Sequence, residues 1–284
     1  QFGHTIGRSW DGGHLTASYE HSLRDRLAGR DRRVAGDADL RDLGGTDHRQ
    51  YYASPGNLLR GGAPAYAIPA GQDGTTLTPS SVLAGQVNRE NQLGAYDLLA
   101  RQRRDALYLT FGQDLNPRLE VSGEARASRR KFNGRGAAPF STIVVTPANP
   151  YYVSPTGAAS ETIAYSFQRE TGGSRDVGTA DTLGFSLGGQ AKLPKAWRLD
   201  AYGAYGVELL DLMTTGILHS SRLNEATGRD PDNPATAFST AASGYFNPFI
   251  GQGANPRPIL DFVTSGWSRR KTRSETRSVN LKLD

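Results

Sequence analysis

Residues 118–130 read RLEVSGEARASRR, in which Leu119, Val121, Gly123, Ala125 and Ala127 alternate without a break against Glu120, Ser122, Glu124, Arg126 and Ser128. Successive side chains of a strand point to opposite sides, so the pattern predicts a ribbon with one small apolar face and one charged face. The same period recurs in HLTASYEHSLR, DALYLTFGQDL, DTLGFSLGGQAKLP, RLDAYGAYGVEL and the closing SVNLKLD. Seven strands are expected, at residues 2–10, 13–25, 105–115, 118–131, 180–193, 198–210 and 268–284. FGHTIGRSW, the first, has the poorest alternation. Most of these exceed the usual length of about 5–6 residues in soluble proteins.

The connections constrain the architecture further. Asp11-Gly12-Gly13, Asn116-Pro117 and Pro194-Lys195-Ala196-Trp197 read as tight turns joining neighbours. Between those pairs lie long polar connections at 26–104, 132–179 and 211–267. Short and long connections strictly alternate, which sends all the short ones to one end of the sheet and all the long ones to the other. Loops of such length argue against an ordinary compact domain. They suit a transmembrane β-barrel, with short periplasmic turns and long outer loops. The apolar face then meets lipid and the charged face a wet lumen, and only a closed barrel satisfies the backbone in lipid.

Composition agrees with that reading. Hydrophobic residues make up 37% of the chain, and 34 glycines and 12 tyrosines accompany a single methionine, a balance that favours strands and loops over helices. No apolar run approaches the roughly 18–20 residues of a membrane helix. Cysteine is absent, which excludes thiol chemistry and Cys-ligated metals. The net charge of +5 comes from mixed charges rather than from basic blocks interleaved with aromatics, so no nucleic-acid partner is expected. Seven strands do not close a large barrel, and both ends of the sequence fall inside strands; the expectation is a piece of a longer protein.

Within the connections, Asp37 to Leu43, ending at Gly44-Gly45, reads as a short Asp-capped helix. Leu93 to Arg103 is a second candidate helix. Segments 61–81 and 228–258, rich in Gly, Pro, Asn and Ser, read as irregular. Trp10 and Trp197, near short turns, suit an interfacial aromatic girdle.

The succession GRSWDGGHLTASYEHSLRDRL, DLRDLGGTDHR and RRDALYLTFGQDLNPRLEVSGEARASRRKF resembles the barrel portion of TonB-dependent outer-membrane receptors. The FNPF at Phe246 to Phe249 and TLGFSLGGQAKLPKAWRLDAYGAYGVEL fit the same family. The resemblance runs from about residue 2 to 284. It implies an all-β fold: a segment of an antiparallel barrel of about 22 strands in the bacterial outer membrane. It also implies energised uptake of a scarce ligand such as a ferric siderophore, cobalamin or a sugar. Implied partners are a plug domain, the remaining barrel strands, the TonB complex and outer-membrane lipid. The plug and the TonB box, which the family carries ahead of the barrel, do not lie within these residues.

Candidate ligand contacts are the loop aromatics Tyr51, Tyr52, Tyr151, Tyr152, Tyr245, Phe246 and Trp267, since aromatics supply binding area at small entropic cost. Glu20, Glu120, Glu124, Arg126 and Asp200 are expected on the lumen wall, with Arg24, in cross-strand charge ladders. Gly184-Phe185-Ser186-Leu187-Gly188 matches the G-x-S-x-G nucleophile elbow, followed by Asp200 or Asp211 and His219 in hydrolase order. The elbow needs a strand-to-helix turn, whereas the alternation runs straight through Ser186, so no catalytic residue is assigned. The histidines (His4, His14, His21, His48, His219) lack metal-site spacing. Asp230, Asp232 and Asn233 hint at a calcium loop without its Gly and distal Glu; no metal or cofactor is expected. A passive porin or an adhesin barrel is the alternative, and a serine hydrolase using Ser186 the remote one.

Overall fold

Alternation carried over ten or more residues leaves a strand nothing to bury within itself, and its backbone groups must pair laterally. The computed structural model, which describes residues 1–284, realises this as a continuous meander. In chain order the strands are β1 Phe2–Trp10, β2 Gly13–Arg24, β3 Leu27–Ala28, β4 Asn57–Arg60, β5 Ala63–Ala67, β6 Leu83–Ala84 and β7 Asp97–Leu99. There follow β8 Arg101–Asn116, β9 Leu119–Arg135, β10 Phe140–Val145, β11 Glu161–Ser166, β12 Arg175–Lys192, β13 Arg198–Ile217 and β14 Gly266–Leu283. Half of the residues are strand and 14% helix, which makes the class all-β.

The seven long strands form one antiparallel sheet in the order β1-β2-β8-β9-β12-β13-β14. All seven expected strands are present, in sequence order and without crossovers. The sheet is open: β1 and β14 are its two edges, so a closed barrel of about 22 strands is not present in this chain. Several strands run further than alternation predicts. β8 begins at Arg101 rather than 105, β9 continues to Arg135, β12 begins at Arg175, and β13 runs 20 residues to Ile217. These extensions lie at the end away from the tight turns, where charged residues enter the apolar face and the period-2 contrast weakens.

The short turns gather at one end. Gly12 takes φ +66°, a left-handed conformation open to glycine without strain, and Gly13 lets the Trp10 ring lie where a Cβ would stand 2.4 Å from it. Along the sheet, aromatic rings cover cross-strand glycines: Phe111 over Gly123, and Phe132 over Gly178.

The long connections are not irregular. They carry a five-stranded sheet in the order β10-β11-β4-β5-β6, a two-stranded ribbon β3-β7, and short helices at Arg33–Asp37, Gln168–Thr171, Ser220–Ala226, Thr240–Ser243 and Arg257–Val263. Together they form a cap with the molecule's hydrophobic core. Its 18 buried residues include Leu58, Ile68, Ile143, Ile163, Tyr165, Phe167, Phe246, Phe249 and Val263, and none comes from the seven-stranded sheet. The cap draws on all three long connections.

Several local expectations are corrected. The helix ends at Asp37, where the Asp-capped one was to begin; Ala38 breaks it at φ 59°, and a single 3-10 turn spans Arg41–Leu43. The glycine stop does hold, with Gly44 at φ 78°. Residues 93–103 form no helix: 93–96 turn, and 97–99 and 101–103 are strand, because β7 and β8 pair with other chain segments there. Segments 61–81 and 228–258 include β5, a 3-10 turn at Pro79–Ser81 and the helix Thr240–Ser243, since their apolar residues reach the cap core.

Candidate functional site

Pairing register decides which side chains share a face. Leu15, Phe111, Gly123, Leu187, Gly203 and Val279 lie in one cross-strand row, and Ala17, Leu109, Ala125, Phe185 and Tyr205 in the next. On β9 the apolar rows run from Leu119 to Ala127. These side chains stand in the open: Leu183 is 50% exposed, Phe185 53%, Leu187 60% and Val279 82%. Trp10 and Trp197 mark the turn end of this face. On β1 the apolar residues Phe2, Ile6 and Trp10 share this face with His4 and Arg8. On β14 Leu283, Leu281 and Val279 lie near the turns, with Arg277 and Glu275 beyond. β13 keeps Leu209 further up as well.

The opposite face is hollowed. One groove reaches from Arg104 on β8 across Glu124, Arg126, Thr182 and Glu208 to Ser274 on β14, spanning five neighbouring strands. A second joins Thr5, Ser18 and Glu20 to Tyr108 and Arg126. All five expected lumen residues share this face. Glu20 stands in the row of Ala106, Ser128, Thr182 and Glu208; Glu120 in that of Gln190 and Asp200; Glu124 beside Ser186; Arg126 beside Tyr108. Polar side chains close on one another across strands: Tyr108 donates to Glu124 at 2.7 Å, Gln190 to Asp200 at 2.7 Å, and the Ser128 and Thr182 hydroxyls meet at 2.7 Å. Such ladders link neighbouring strands across this polar face.

The expected aromatic contacts do not gather at one place. Tyr51 and Tyr52 are half-buried and stacked with ring centroids 4.8 Å apart, and Phe140, 49% exposed, lies 4.8 Å from Tyr52. Asn57, fully buried, fixes this patch by donating to the Tyr51 carbonyl at 2.6 Å, and the Tyr52 hydroxyl meets Thr142 at 3.1 Å. Tyr151 and Tyr152 pack on the cap core beside Asn149, whose amide donates to Thr227 and Phe246 carbonyls at 3.0 Å. Tyr245 covers Gly228. Phe246 is corrected: it is fully buried between Tyr165 and Phe167, with centroids 5.5 Å away, and serves the core rather than a ligand. Trp267 is also corrected, because it belongs to β14 of the long sheet and not to a loop. Phe140 was the residue sequence reading missed; its signal was the apolar run FSTIVV.

Two polar clusters tie the cap together. Glu161 is buried without exposure and receives both guanidinium nitrogens of Arg60 at 2.6 and 2.8 Å and the Ser154 hydroxyl at 2.6 Å. Around Ser54, burial pushes the carboxyls of Glu90 and Glu170 above the ordinary glutamate value and the Tyr165 hydroxyl well above the tyrosine one. On the cap surface the sign reverses: Arg41 holds Asp39 below the usual carboxylate range, and Arg49 does so for Asp47.

The hydrolase constellation does not assemble. Ser186 lies in mid-strand between Glu124 and Ala204, Asp211 belongs to the opposite face, and His219 lies past the end of β13. Asp232 accepts from the Thr240 N–H at 3.0 Å, Asn233 from Ala235 at 3.0 Å and Asp230 from Asn224 at 3.2 Å, so these side chains act as loop caps. No known protein-family model matches the chain, and no curated protein matches it in sequence.

Proposed function

We propose that this chain is the lipid-embedded wall and outer cap of a bacterial outer-membrane barrel, and that the barrel is a receptor of the TonB-dependent kind. In this reading the cap binds a scarce small ligand, the missing strands close the wall, and a plug gates passage through the lumen. Binding and gating are the whole mechanism; no bond is made or broken.

The observation that carries the reading is the sidedness of the sheet. A soluble protein rarely leaves an apolar patch larger than a few hundred Å² open to water, and here that patch crosses the sheet on the face away from the polar groove. The rows from Leu119 to Ala127 span about 27 Å along the strand at roughly 3.4 Å per residue, or about 20 Å in height at a tilt near 40°. An outer-membrane barrel presents an apolar band of about 25 Å. Tilt also explains the edges. Strands about 4.8 Å apart and tilted by about 40° shift the membrane level by roughly one residue per strand, or about six across six pairings. The apolar residues shift in that sense, from Phe2, Ile6 and Trp10 along the whole of β1 to Val279, Leu281 and Leu283 at the turn end of β14. The cap, on the side of the long connections, supports the receptor reading, with Tyr51, Tyr52 and Phe140 as a stacking platform.

The test uses the full-length protein in native outer membranes, offered ferric chelates, cobalamin and oligosaccharides with and without a protonophore. Saturable binding, followed by uptake that the protonophore abolishes, is the expected result. Unsaturable flux indifferent to the protonophore would make the barrel a passive porin.

A further inference from the structure

The three long connections are fastened to one another at a single seam in the cap. Ala53 bridges Tyr165, and its carbonyl accepts the Ser166 N–H at 3.1 Å. The Ser54 N–H donates to Glu90 at 2.9 Å. The Ser54 carbonyl accepts from Arg169, whose other terminal nitrogen donates to the Gly251 carbonyl at 3.4 Å. Glu170 Oε1 accepts twice from Asn255, from its backbone at 3.0 Å and its side chain at 2.8 Å. Asn255 is joined in turn to Asn247 by bonds of 2.6 and 3.1 Å. The first connection enters this seam directly after the Tyr51–Tyr52 stack.

Three oxygens in the seam have no hydrogen-bond partner: Glu170 Oε2, the Tyr165 hydroxyl and Ser54 Oγ. Tyr165 is fully buried, Ser54 is 8% exposed, and the Tyr165 hydroxyl lies against both Ser54 and Glu170. Buried polar atoms of native proteins are paired with few exceptions, so this line of oxygens calls for a donor.

The charges point to a proton. Arg169 is the cation acting on both Glu90 and Glu170, and its guanidinium is directed at carbonyls rather than at either carboxyl. Asp73 bonds Thr75 at 2.6 Å and Arg257 pairs with Asp261 at 2.8 Å, while Asn247, Asn255 and the Gly251 carbonyl bring no charge. Burial raises both glutamates above their ordinary value, and one cation does not offset two buried carboxylates. Glu90 faces the Ser54 N–H, a bond that its ionised form strengthens. Glu170 Oε2 faces hydroxyls. A proton there donates to the Tyr165 oxygen, and the Tyr165 O–H turns to Ser54. Ionised, the same oxygen puts a charge into the seam and draws water after it.

We propose that Glu170, set between Tyr165 and Asn255, is a proton-operated latch that fixes the Tyr51–Tyr52–Phe140 platform when protonated and frees it when ionised. A carboxyl raised by folding stabilises fully below its ordinary value and loses that effect as pH rises through the folded one. The consequence for a ligand rests on the platform reading above. The latch itself is tested without any ligand, so its failure leaves the receptor reading standing, and the reverse.

The experiment follows amide hydrogen exchange, corrected for its intrinsic pH dependence, in the full-length protein in bilayer nanodiscs. Between about pH 6 and about pH 9, peptides covering residues 50–57 and 165–172 should lose protection by at least about tenfold, while residues 143–145 of the cap core keep theirs. Glu170→Gln should retain protection across the range, and Asp42→Asn on the cap surface should show the unaltered protein's loss. Protection independent of pH in the unaltered protein overturns the proposal. So does loss spread evenly over the cap, residues 143–145 included, or an unchanged pH response in Glu170→Gln. Where that variant fails to fold, the infrared carboxylic-acid band of the unaltered protein decides: persistence above about pH 6 supports the latch, and its absence overturns it.

Discussion

Phe185 and Phe246 carry the same side chain, yet the first is 53% exposed and the second fully buried. Phe185 belongs to a sheet with exposed large apolar side chains on one face and Ser, Thr, Gly and charged residues on the other. Phe246 belongs to a cap built as water-soluble proteins are built, with apolar groups packed inside and ion pairs such as Arg41–Asp39 outside. The sheet leaves large apolar side chains uncovered on one face, whereas the cap buries its own. One chain thus contains two opposite answers to the hydrophobic effect, separated by a belt of charge.

That contrast can be broken most forcefully in the cap. Phe246→Ala should cost about 3–5 kcal/mol, because a packed aromatic site collapses poorly. The loss should appear as protease sensitivity of the 211–265 connection while the strand circular dichroism in lipid persists; joint loss of both would mean that wall and cap are one cooperative unit. Arg60→Ala should act on a similar scale, about 3–5 kcal/mol, by leaving Glu161 charged and unpaired in the interior, and thermal melting of the cap measures it. On the wall, Leu187→Arg should cost about 2–4 kcal/mol in a bilayer, and Ser186→Arg, one residue away on the hollow face, far less. Urea titration of protein refolded into vesicles compares them, and equal penalties would remove the distinction between the faces.

The smallest effect concerns pH. Burial raises the Glu170 carboxyl above its ordinary value of 4.5. Its contribution to stability is therefore complete below that ordinary value and is lost as pH rises through the folded one. Glu170→Gln should raise the melting temperature of the cap at mildly alkaline pH, with the gain fading on acidification. Asp39 and Asp47 work in the opposite sense, since their lowered values give stability that is lost as pH falls, and the comparison with the Gln variant isolates the buried group from them.

The wall was legible because a single strand states its own two environments: Leu119 to Ala127 against Glu120 to Ser128 needs no partner to be read. Where charge enters the apolar face, as at Arg129, Lys131 and Arg135, that statement ends, and so did the accuracy of the strand limits. The cap was hidden for the opposite reason. Leu58, Ile163 and Phe246 meet in one core from three connections far apart in sequence, and Asn57, Asn149 and Asn247, buried by specific hydrogen bonds, look like loop residues in isolation. The runs FSTIVV and ETIAYS, which became β10 and β11, were the visible part of the signal. Period alone put Glu20, Glu120, Glu124, Arg126 and Asp200 on one face of the sheet, whereas the aromatics of the connections carried no periodic clue to separate Tyr51 from Phe246.

The three-part origin of the cap core has a consequence for order of assembly. Gln72 donates to the Phe249 carbonyl across 177 positions of sequence, and pairings of such separation form late because loop closure must come first. Each hairpin of the meander can zip locally as it emerges, but its crown has no interior until the last of the three tethers arrives. The finished crown then works as a clasp: peeling away any one hairpin means tearing a strand's worth of packing out of a structure that the other two also hold.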